Sequence, residues 1–125
     1  MPGFIPHFLT GNLIFLSSYI ILSSIPSFQH RKKDTLFLYG VCIICSIIPD
    51  FPLGLYYLFH ISDFNTLVEY HALLHKIISP AAVIIFILFS VFNIIKKKHI
   101  WIIGIVCIII HIFLDATIEE MGVWI

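Results

Sequence analysis

The segment IWIIGIVCIIIHIFL at residues 100–114, followed by DATIE at residues 115–119, gives the first indication of how the chain folds. The first part contains no Asp, Glu, Lys or Arg, and His111, Asp115 and Glu119 recur at every fourth position. Because four residues of α-helix turn through about 400° and rise about 6 Å, these three side chains form one stripe on a helix. An ionisable group in so apolar a segment is energetically expensive and therefore indicates a functional site.

The composition of the whole chain is typical of an integral membrane protein. Hydrophobic residues make up 60% of the 125 residues, charged residues make up 11%, and the mean hydropathy is +1.06. In soluble domains about a quarter of the residues are charged. The formal net charge is zero, so the charge balance gives no indication of a nucleic-acid partner.

Four apolar runs predict an all-α integral membrane bundle of about four transmembrane helices. The first run, residues 8–25, has 18 residues without a charge, about 27 Å of helix, which matches the hydrocarbon core of a bilayer. The second run, residues 36–48, is shorter and leads into Pro49-Asp50-Phe51-Pro52. Prolines on both sides of Asp50 predict a turn or a broken helix with the carboxylate at its tip.

The third and fourth runs complete the predicted bundle. Thr66 and Glu69 have the spacing of a capping box, which predicts that the third helix begins at Thr66. This helix runs uncharged over residues 77–95 and contains Pro80, where we expect a kink. Residues 100–114 form the fourth run. The length of the chain suits one domain, which we place over residues 1–125.

Two basic clusters predict the orientation of the bundle. Arg31 to Lys33 follow the first helix and Lys96 to Lys98 follow the third, so four spans put both clusters on one side. The positive-inside rule assigns that side to the cytoplasm. The opposite ends of the four helices then meet on the extracytoplasmic side of a plasma membrane. These ends carry His7, Asp50, His71, His75, His111, Asp115 and Glu119.

The side chains predicted at this end are those of a divalent-metal site. Imidazole nitrogens and carboxylate oxygens bind Zn²⁺, and also Fe²⁺ or Mn²⁺. His111 and Asp115, one helical turn apart, can bind a single ion or bridge two. His71 and His75 are also one turn apart, so the third helix can bind the ion from across the bundle through one or both of them. We expect the bound ion to be Zn²⁺, with Mn²⁺ or Fe²⁺ as alternatives.

Four short motifs occur in a fixed order: MPGFIPHFLTGN with His7, IIPD with Asp50, EYHALLHK with His71 and His75, and HIFLD with His111 and Asp115. This order resembles that of the membrane-bound metal-dependent hydrolases, small multi-helix proteins of the LexA-regulated inner-membrane type that are related to zinc-dependent phospholipase C. The resemblance implies hydrolysis of a phosphoester or a lipid headgroup. The central motif of that family often has Arg and Ser after its two His residues, where this chain has Ala72 and Lys76.

We therefore expect a membrane-embedded, metal-dependent hydrolase that acts on a phosphoester or lipid-linked substrate at the membrane surface. The candidate metal ligands are His7, Asp50, His71, His75, His111 and Asp115. The candidate catalytic acids and bases are Asp50, His75 and Glu119. The expected partners are membrane lipids, and the expected location is the plasma membrane, crossed several times.

Two other classes of function stay open. A proton- or ion-relay component of a transporter would use the same imidazoles and carboxylates, but it needs polar residues across the bilayer. Beyond the cluster the sequence offers little of that kind: Ser17, Ser18, Ser46, Ser90 and Asn93. A non-catalytic membrane scaffold would keep the fold without the activity. In that case His111 and Asp115 form a hydrogen-bonded pair between helices and Asp50 caps a turn.

Overall fold

The computed structural model of the chain describes residues 4–25, 32–50, 59, 64–94 and 97–117. Within these ranges the side chains of six residues lie outside the description, namely Phe4, Phe64, Leu67, Val68, His71 and Leu74. The regular structure of the described residues is entirely helical, which confirms the predicted all-α class.

The described residues form five α-helices. These are α1 (Phe4–Ser23), α2 (Lys32–Ile47), α3 (Phe64–Leu73), α4 (Ser79–Val91) and α5 (Lys98–Thr117). A 3₁₀ turn, Ile48–Asp50, directly follows α2, and a π-helical turn, Leu74–Ile78, joins α3 to α4. As a result α3 and α4 form one continuous helical segment.

Two helices are long and apolar enough to cross a membrane. They are Ile5–Ser23 in α1, with 19 residues, and α5, with 20 residues. The helix α2 has only 16 residues, and the apolar segment His75–Val91 is also shorter than a full span. By length and composition, therefore, two of the four predicted spans are candidates within the described part of the chain.

The start of α3 differs from the prediction. The helix begins at Phe64, so Thr66 is its third residue and is exposed. A capping box requires Thr66 to precede the helix with a non-helical backbone, and the additional residues at the start remove that possibility. The spacing of Thr66 and Glu69 is therefore not a capping box, and the prediction of the helix start was wrong by two residues.

The helices pack around a small core between α2 and α5. Leu38 and Cys42 of α2 and Cys107 of α5 are completely buried. On one side α1 packs against α2, and on the other α4 packs against α5. Gly11 permits the first contact, because a Cβ atom there would lie 3.0 Å from Ser46 Oγ and 3.2 Å from the carbonyl oxygen of Cys42. This close approach brings the start of α1 to the end of α2.

One ion pair shows which ends of the helices lie together. Lys97 Nζ, just before α5, lies 2.7 Å from Asp34 Oδ1 in the first turn of α2. The Lys97 ammonium also lies 4.8 Å from the centre of the Phe37 ring in α2. Next to it, Trp101 Nε1 of α5 donates a hydrogen bond of 3.0 Å to the carbonyl oxygen of Ile94. The starts of α2 and α5 are thus adjacent, so the ends of these two helices meet at the opposite end of the bundle.

Candidate metal centre

At that opposite end, four helical segments bring five ionisable side chains together. They are His7 from the first turn of α1, Asp50 from the 3₁₀ turn, His75 from the π-helical turn, and His111 and Asp115 from the last two turns of α5. His7 and His111 are 1% exposed and Asp50 is 4% exposed. We call these five side chains the His/Asp cluster.

The predicted turn at Asp50 is present as the 3₁₀ turn Ile48–Asp50. Proline does not continue an α-helix, because it lacks an N–H and its ring clashes with the preceding turn. Pro49 is buried, and it lies where the α-helical ladder of α2 has already ended at Ile47. The turn therefore holds the Asp50 carboxylate at the end of α2, beside His7.

The position of His75 depends on the π-helical turn. This turn, Leu74–Ile78, is followed by Ser79 and Pro80, and the ring of a proline at position 80 clashes with the carbonyl of residue 76 in a regular α-helix. A π-helical turn widens the helix locally, and such turns are frequent at functional sites. His75 Nε2 lies 3.5 Å from Asp50 Oδ1 and 3.3 Å from Asp115 Oδ2. The distortion expected at Pro80 thus places His75 against both carboxylates.

His7 contacts the same two carboxylates from α1. Its Nε2 atom lies 3.1 Å from Asp50 Oδ2 and 3.1 Å from Asp115 Oδ1, and the second contact has hydrogen-bond geometry. Its Nδ1 atom is buried and has no hydrogen-bond partner among the described residues. The hydrogen-bonding capacity of this imidazole is therefore directed towards the carboxylates.

The hydrogen bond of His111 determines which of its nitrogens faces the carboxylates. His111 Nδ1 lies 2.8 Å from the carbonyl oxygen of Ser46, which can only accept, so Nδ1 carries the hydrogen. In the neutral imidazole Nε2 then presents a lone pair. That atom lies 3.1 Å from Asp115 Oδ2 and 3.8 Å from Asp50 Oδ1, which are acceptors too. A cation between these atoms, either a proton or a metal ion, is required to make such contacts favourable.

The arrangement of the rings favours a metal ion over protons. The ring centres of His7 and His111 are 4.0 Å apart, and those of His75 and His111 are 5.1 Å apart. Two ionised carboxylates need two positive charges, and protons on adjacent imidazoles would place like charges side by side in a buried site. One divalent cation supplies the same charge without that repulsion.

The donor atoms also lie close enough for one ion. One ligand atom each from His7, Asp50, His111 and Asp115 lie within 4.8 Å of one another, so this group can hold a metal ion. His111 donates its other ring N–H to a backbone carbonyl, which is the usual arrangement for a metal-binding histidine. The structure therefore agrees with the predicted divalent-metal site in one respect: a buried His/Asp group has donor atoms close enough to hold an ion.

Two predicted site residues are not placed by the structure. Glu119 lies outside the described residues, and His71 lies on α3 with its side chain outside the description. Sequence reasoning missed the carbonyl of Ser46, because a backbone acceptor leaves no signal in residue type. The only available signal was indirect, since Ser46 precedes Asp50 by one helical turn.

Two members of the cluster are partly exposed, and an apolar groove begins close to the cluster. The side chains of His75 and Asp115 are 17% and 12% exposed, in contrast to the nearly inaccessible His7 and His111. The groove is lined by Ile44, Cys45, Ile48, Pro49, Ile78, Ser79, Ala82, Phe86 and Ile108. Because Pro49 adjoins Asp50 and Ile78 lies one turn after His75, one end of the groove is next to the His/Asp cluster.

Comparisons with known proteins give no relative: no protein-family model matches the chain, and neither the curated proteins nor the solved structures include a significant match. The resemblance to the membrane-bound metal-dependent hydrolases therefore depends on the motifs and their order alone.

Proposed function

We propose that the chain is a membrane-embedded, metal-dependent hydrolase that cleaves a phosphoester in a lipid or lipid-linked substrate. The observation that carries this proposal is the His/Asp cluster. A buried lone pair on His111 Nε2 faces two carboxylates, a third imidazole is partly exposed, and the whole group is surrounded by apolar helices. Polar groups of this kind are retained in an apolar bundle when they bind a ligand or take part in a reaction.

The proposed membrane arrangement has four spans, with α1, α2 plus its 3₁₀ turn, α3 to α4, and α5 as the spanning segments. Residues 32–50 give about 28 Å of helix, close to the thickness of the hydrocarbon core. Large apolar side chains are more than 60% exposed on the outside of the bundle, among them Leu13, Val91, Phe92 and Phe113. Helices that are apolar on all sides are typical of membrane spans.

The orientation follows from the charges at the other end of the bundle. Lys32, Lys33 and Lys98 are exposed, and they lie at the starts of α2 and α5, away from the His/Asp cluster. The positive-inside rule assigns this end to the cytoplasm. We therefore propose a multi-pass protein of the plasma membrane, with the cluster at the extracytoplasmic side.

The proposed cofactor is Zn²⁺, with Mn²⁺ or Fe²⁺ as alternatives that the same donors accept. His7, Asp50, His111 and Asp115 would hold it. A divalent ion in such a site supplies Lewis-acid polarisation of a phosphoryl oxygen and activation of water at neutral pH. The protein contributes the fixed donors: the 3₁₀ turn positions Asp50, and the Ser46 carbonyl fixes the tautomer and orientation of His111.

Exposure within the cluster determines which groups meet the substrate. His75 and Asp115 are the partly exposed members of the cluster, so a phosphoester arriving from the headgroup layer contacts them first. His75 fits a role as metal ligand or as general acid or base, because its Nε2 lies 3.3 Å from Asp115 Oδ2. The buried His7 and His111 are held away from solvent and serve as ligands.

The apolar groove supports a lipid-linked substrate. Its lining is aliphatic and aromatic, and it runs from Pro49 and Ile78, beside the cluster, towards Phe86 in the middle of α4. An acyl or isoprenoid chain placed there would put its phosphoester at the end nearest Asp50. A water-soluble phosphoester would leave this groove without a role.

A proton relay is disfavoured by what lies below the cluster. The described core consists of Leu22, Leu38, Ile100, Ile108 and the thiols of Cys42, Cys45 and Cys107, with the buried Ser46 next to the cluster. Such a core offers no continuous row of strong donors and acceptors to the basic end. An assay of hydrolysis distinguishes the hydrolase from a non-catalytic scaffold.

This assay uses the full chain in phospholipid nanodiscs with a fluorogenic phospholipid that reports cleavage on either side of the phosphate. We expect turnover that is abolished by EDTA, restored by Zn²⁺ or Mn²⁺, and lost in the double variant H111A/D115A. The matched control is H99A, because His99 is exposed at the basic end. Metal binding without hydrolysis of lipid phosphoesters would contradict the proposed activity and favour the scaffold.

A further inference from the structure

We propose that the His/Asp cluster holds two metal ions in two subsites that share the carboxylates of Asp50 and Asp115. This inference rests on the proposed metal-dependent function and replaces the single ion held by His7, Asp50, His111 and Asp115 with two ions, one on the side of His7 and one on the side of His111. It also assigns His75, which lies outside the closest four-residue group, as a ligand of the second ion.

The contacts divide the carboxylate oxygens into two sets. His7 lies 3.1 Å from Asp50 Oδ2 and 3.1 Å from Asp115 Oδ1. The other oxygen of each carboxylate belongs to the second pair of histidines: Asp50 Oδ1 lies 3.5 Å from His75 and 3.8 Å from His111. Asp115 Oδ2 lies 3.3 Å from His75 and 3.1 Å from His111. Each carboxylate therefore presents one oxygen to His7 and the other to His75 and His111.

The number of ligating side chains exceeds the four that one zinc ion usually takes. Three imidazoles and two carboxylates converge on the cluster, and both oxygens of each carboxylate contact an imidazole. Zn²⁺ is almost always bound by about four ligands, and the ions that take about six to eight ligands prefer oxygen to imidazole nitrogen. Five ligating side chains with two bridging carboxylates match two ions, a common arrangement in enzymes that cleave phosphoesters. The two carboxylates balance the charge of one ion, and the anionic phosphoester would balance the charge of the second.

The two subsites differ in their ligands. The first has His7 and one oxygen from each carboxylate, which are three protein donors, and a catalytic ion typically keeps a further position for water or substrate. The second has His75, His111 and the remaining oxygens, which complete a set of four. His111 Nδ1 is already bound to the Ser46 carbonyl, so Nε2 is the nitrogen available to this second ion.

The first test is a metal count. The full chain is purified in detergent, stripped with EDTA, loaded with excess Zn²⁺, desalted and measured by mass spectrometry. We expect two Zn²⁺ per chain in the native sequence and in the H99A control, and one in both H7A and H75A. One ion per native chain would overturn this inference and leave the proposed function intact, whereas no bound ion would overturn both.

The second test needs no variant and so does not depend on how variants fold. The stripped native chain is loaded with Mn²⁺ and measured by electron paramagnetic resonance. Carboxylate-bridged ions give an exchange-coupled spectrum, which we expect to grow in at the expense of the isolated-ion spectrum as the second equivalent is added. A saturated sample that shows only isolated Mn²⁺ would contradict the shared-carboxylate arrangement.

Discussion

His111 Nδ1 donates a hydrogen bond of 2.8 Å to the carbonyl oxygen of Ser46, which joins the last turns of α5 to the end of α2. The carbonyl is free to accept because the chain leaves the α-helix one residue later and enters the 3₁₀ turn that ends at Asp50. The change from α-helix to 3₁₀ turn at the end of α2 thus fixes both the orientation of His111 and the position of Asp50. The metal donors of the two helices are therefore coupled through the end of α2.

Enlarging Gly11 should separate His7 from the rest of the cluster. A Cβ atom at this position would lie 3.0 Å from Ser46 Oγ and 3.2 Å from the carbonyl oxygen of Cys42, so G11A requires Ser46 or α1 to move by a few tenths of an ångström. We expect a loss of about 1–3 kcal/mol of stability and Zn²⁺ binding weaker by about tenfold or more. The measurements are thermal unfolding by tryptophan fluorescence and Zn²⁺ competition with a chelating dye.

Gly40 provides the matched control for that variant. A Cβ atom there meets nothing within 4 Å, and Gly40 lies within α2. Replacing a helical glycine by alanine in open space stabilises a protein by about 0.5–1 kcal/mol. G40A should therefore keep full Zn²⁺ affinity. Equal effects of G11A and G40A would show that the α1–α2 contact does not position His7.

The charge of Asp50 should stabilise the metal-bound protein and destabilise the metal-free protein. The ligand atoms of Asp50 and Asp115 lie within 4.8 Å of each other, so without a cation the two carboxylates repel. We expect D50N to raise the stability of the EDTA-treated protein by about 1–3 kcal/mol. The native chain should gain about 2.7 kcal/mol at a Zn²⁺ concentration of about 100 times Kd, and D50N should lose this gain.

The direction of the change in EDTA separates two accounts of the cluster. If protonated histidines balance the carboxylates, removing the charge of Asp50 leaves a buried imidazolium without its partner and lowers stability. A less stable D50N in EDTA, together with no response to Zn²⁺ in the native chain, would favour a structural network over a metal centre.

Replacing Pro80 should alter the cluster without weakening the helix. P80A removes the residue that is incompatible with a regular α-helix, so the π-helical turn at residues 74–78 can revert to α-helix and rotate His75. In a helix interior, alanine is about 3 kcal/mol more favourable than proline, so the midpoint of thermal unfolding should not fall in P80A. We expect the Zn²⁺ content to drop from two ions to one, as in H75A. An unchanged metal content would show that Pro80 does not position His75.

Cysteine labelling tests the orientation in the membrane. Ile5 is exposed near the cluster and Lys98 is exposed at the opposite end, while the three native cysteines are buried. We expect a membrane-impermeant maleimide to label I5C but not K98C in intact cells, and to label both after the membrane is disrupted. Labelling of K98C alone in intact cells would place the cluster on the cytoplasmic side.

The sequence predicted the polar end of the bundle because connectivity alone determines it. His7, Asp50, His75 and the pair His111 and Asp115 lie at alternating helix ends, and antiparallel packing brings such ends together. The spacing of His111 and Asp115 was enough to place both on one face of α5. No tertiary information was needed for either inference.

The rest of the site depends on atoms that residue types do not specify. Which oxygen of Asp115 faces which imidazole follows from the approach of α1 to α2 at Gly11 and from the π-helical turn before Pro80. The start of α3 was misplaced at Thr66 because a capping-box spacing also occurs inside helices. The hydrogen bond from His111 to the Ser46 carbonyl requires a three-dimensional structure to be found at all.

X-ray absorption at the zinc edge of the Zn²⁺-loaded full chain reports which atoms bind the ion. For an ion held by the His/Asp cluster we expect nitrogen and oxygen neighbours at about 2.0–2.2 Å, with the outer-shell scattering of imidazole rings. This signal should weaken in H111A/D115A and persist in H99A. Sulfur neighbours at about 2.3 Å would instead place the ion at the buried thiols of Cys42, Cys45 and Cys107, and would contradict the His/Asp metal centre.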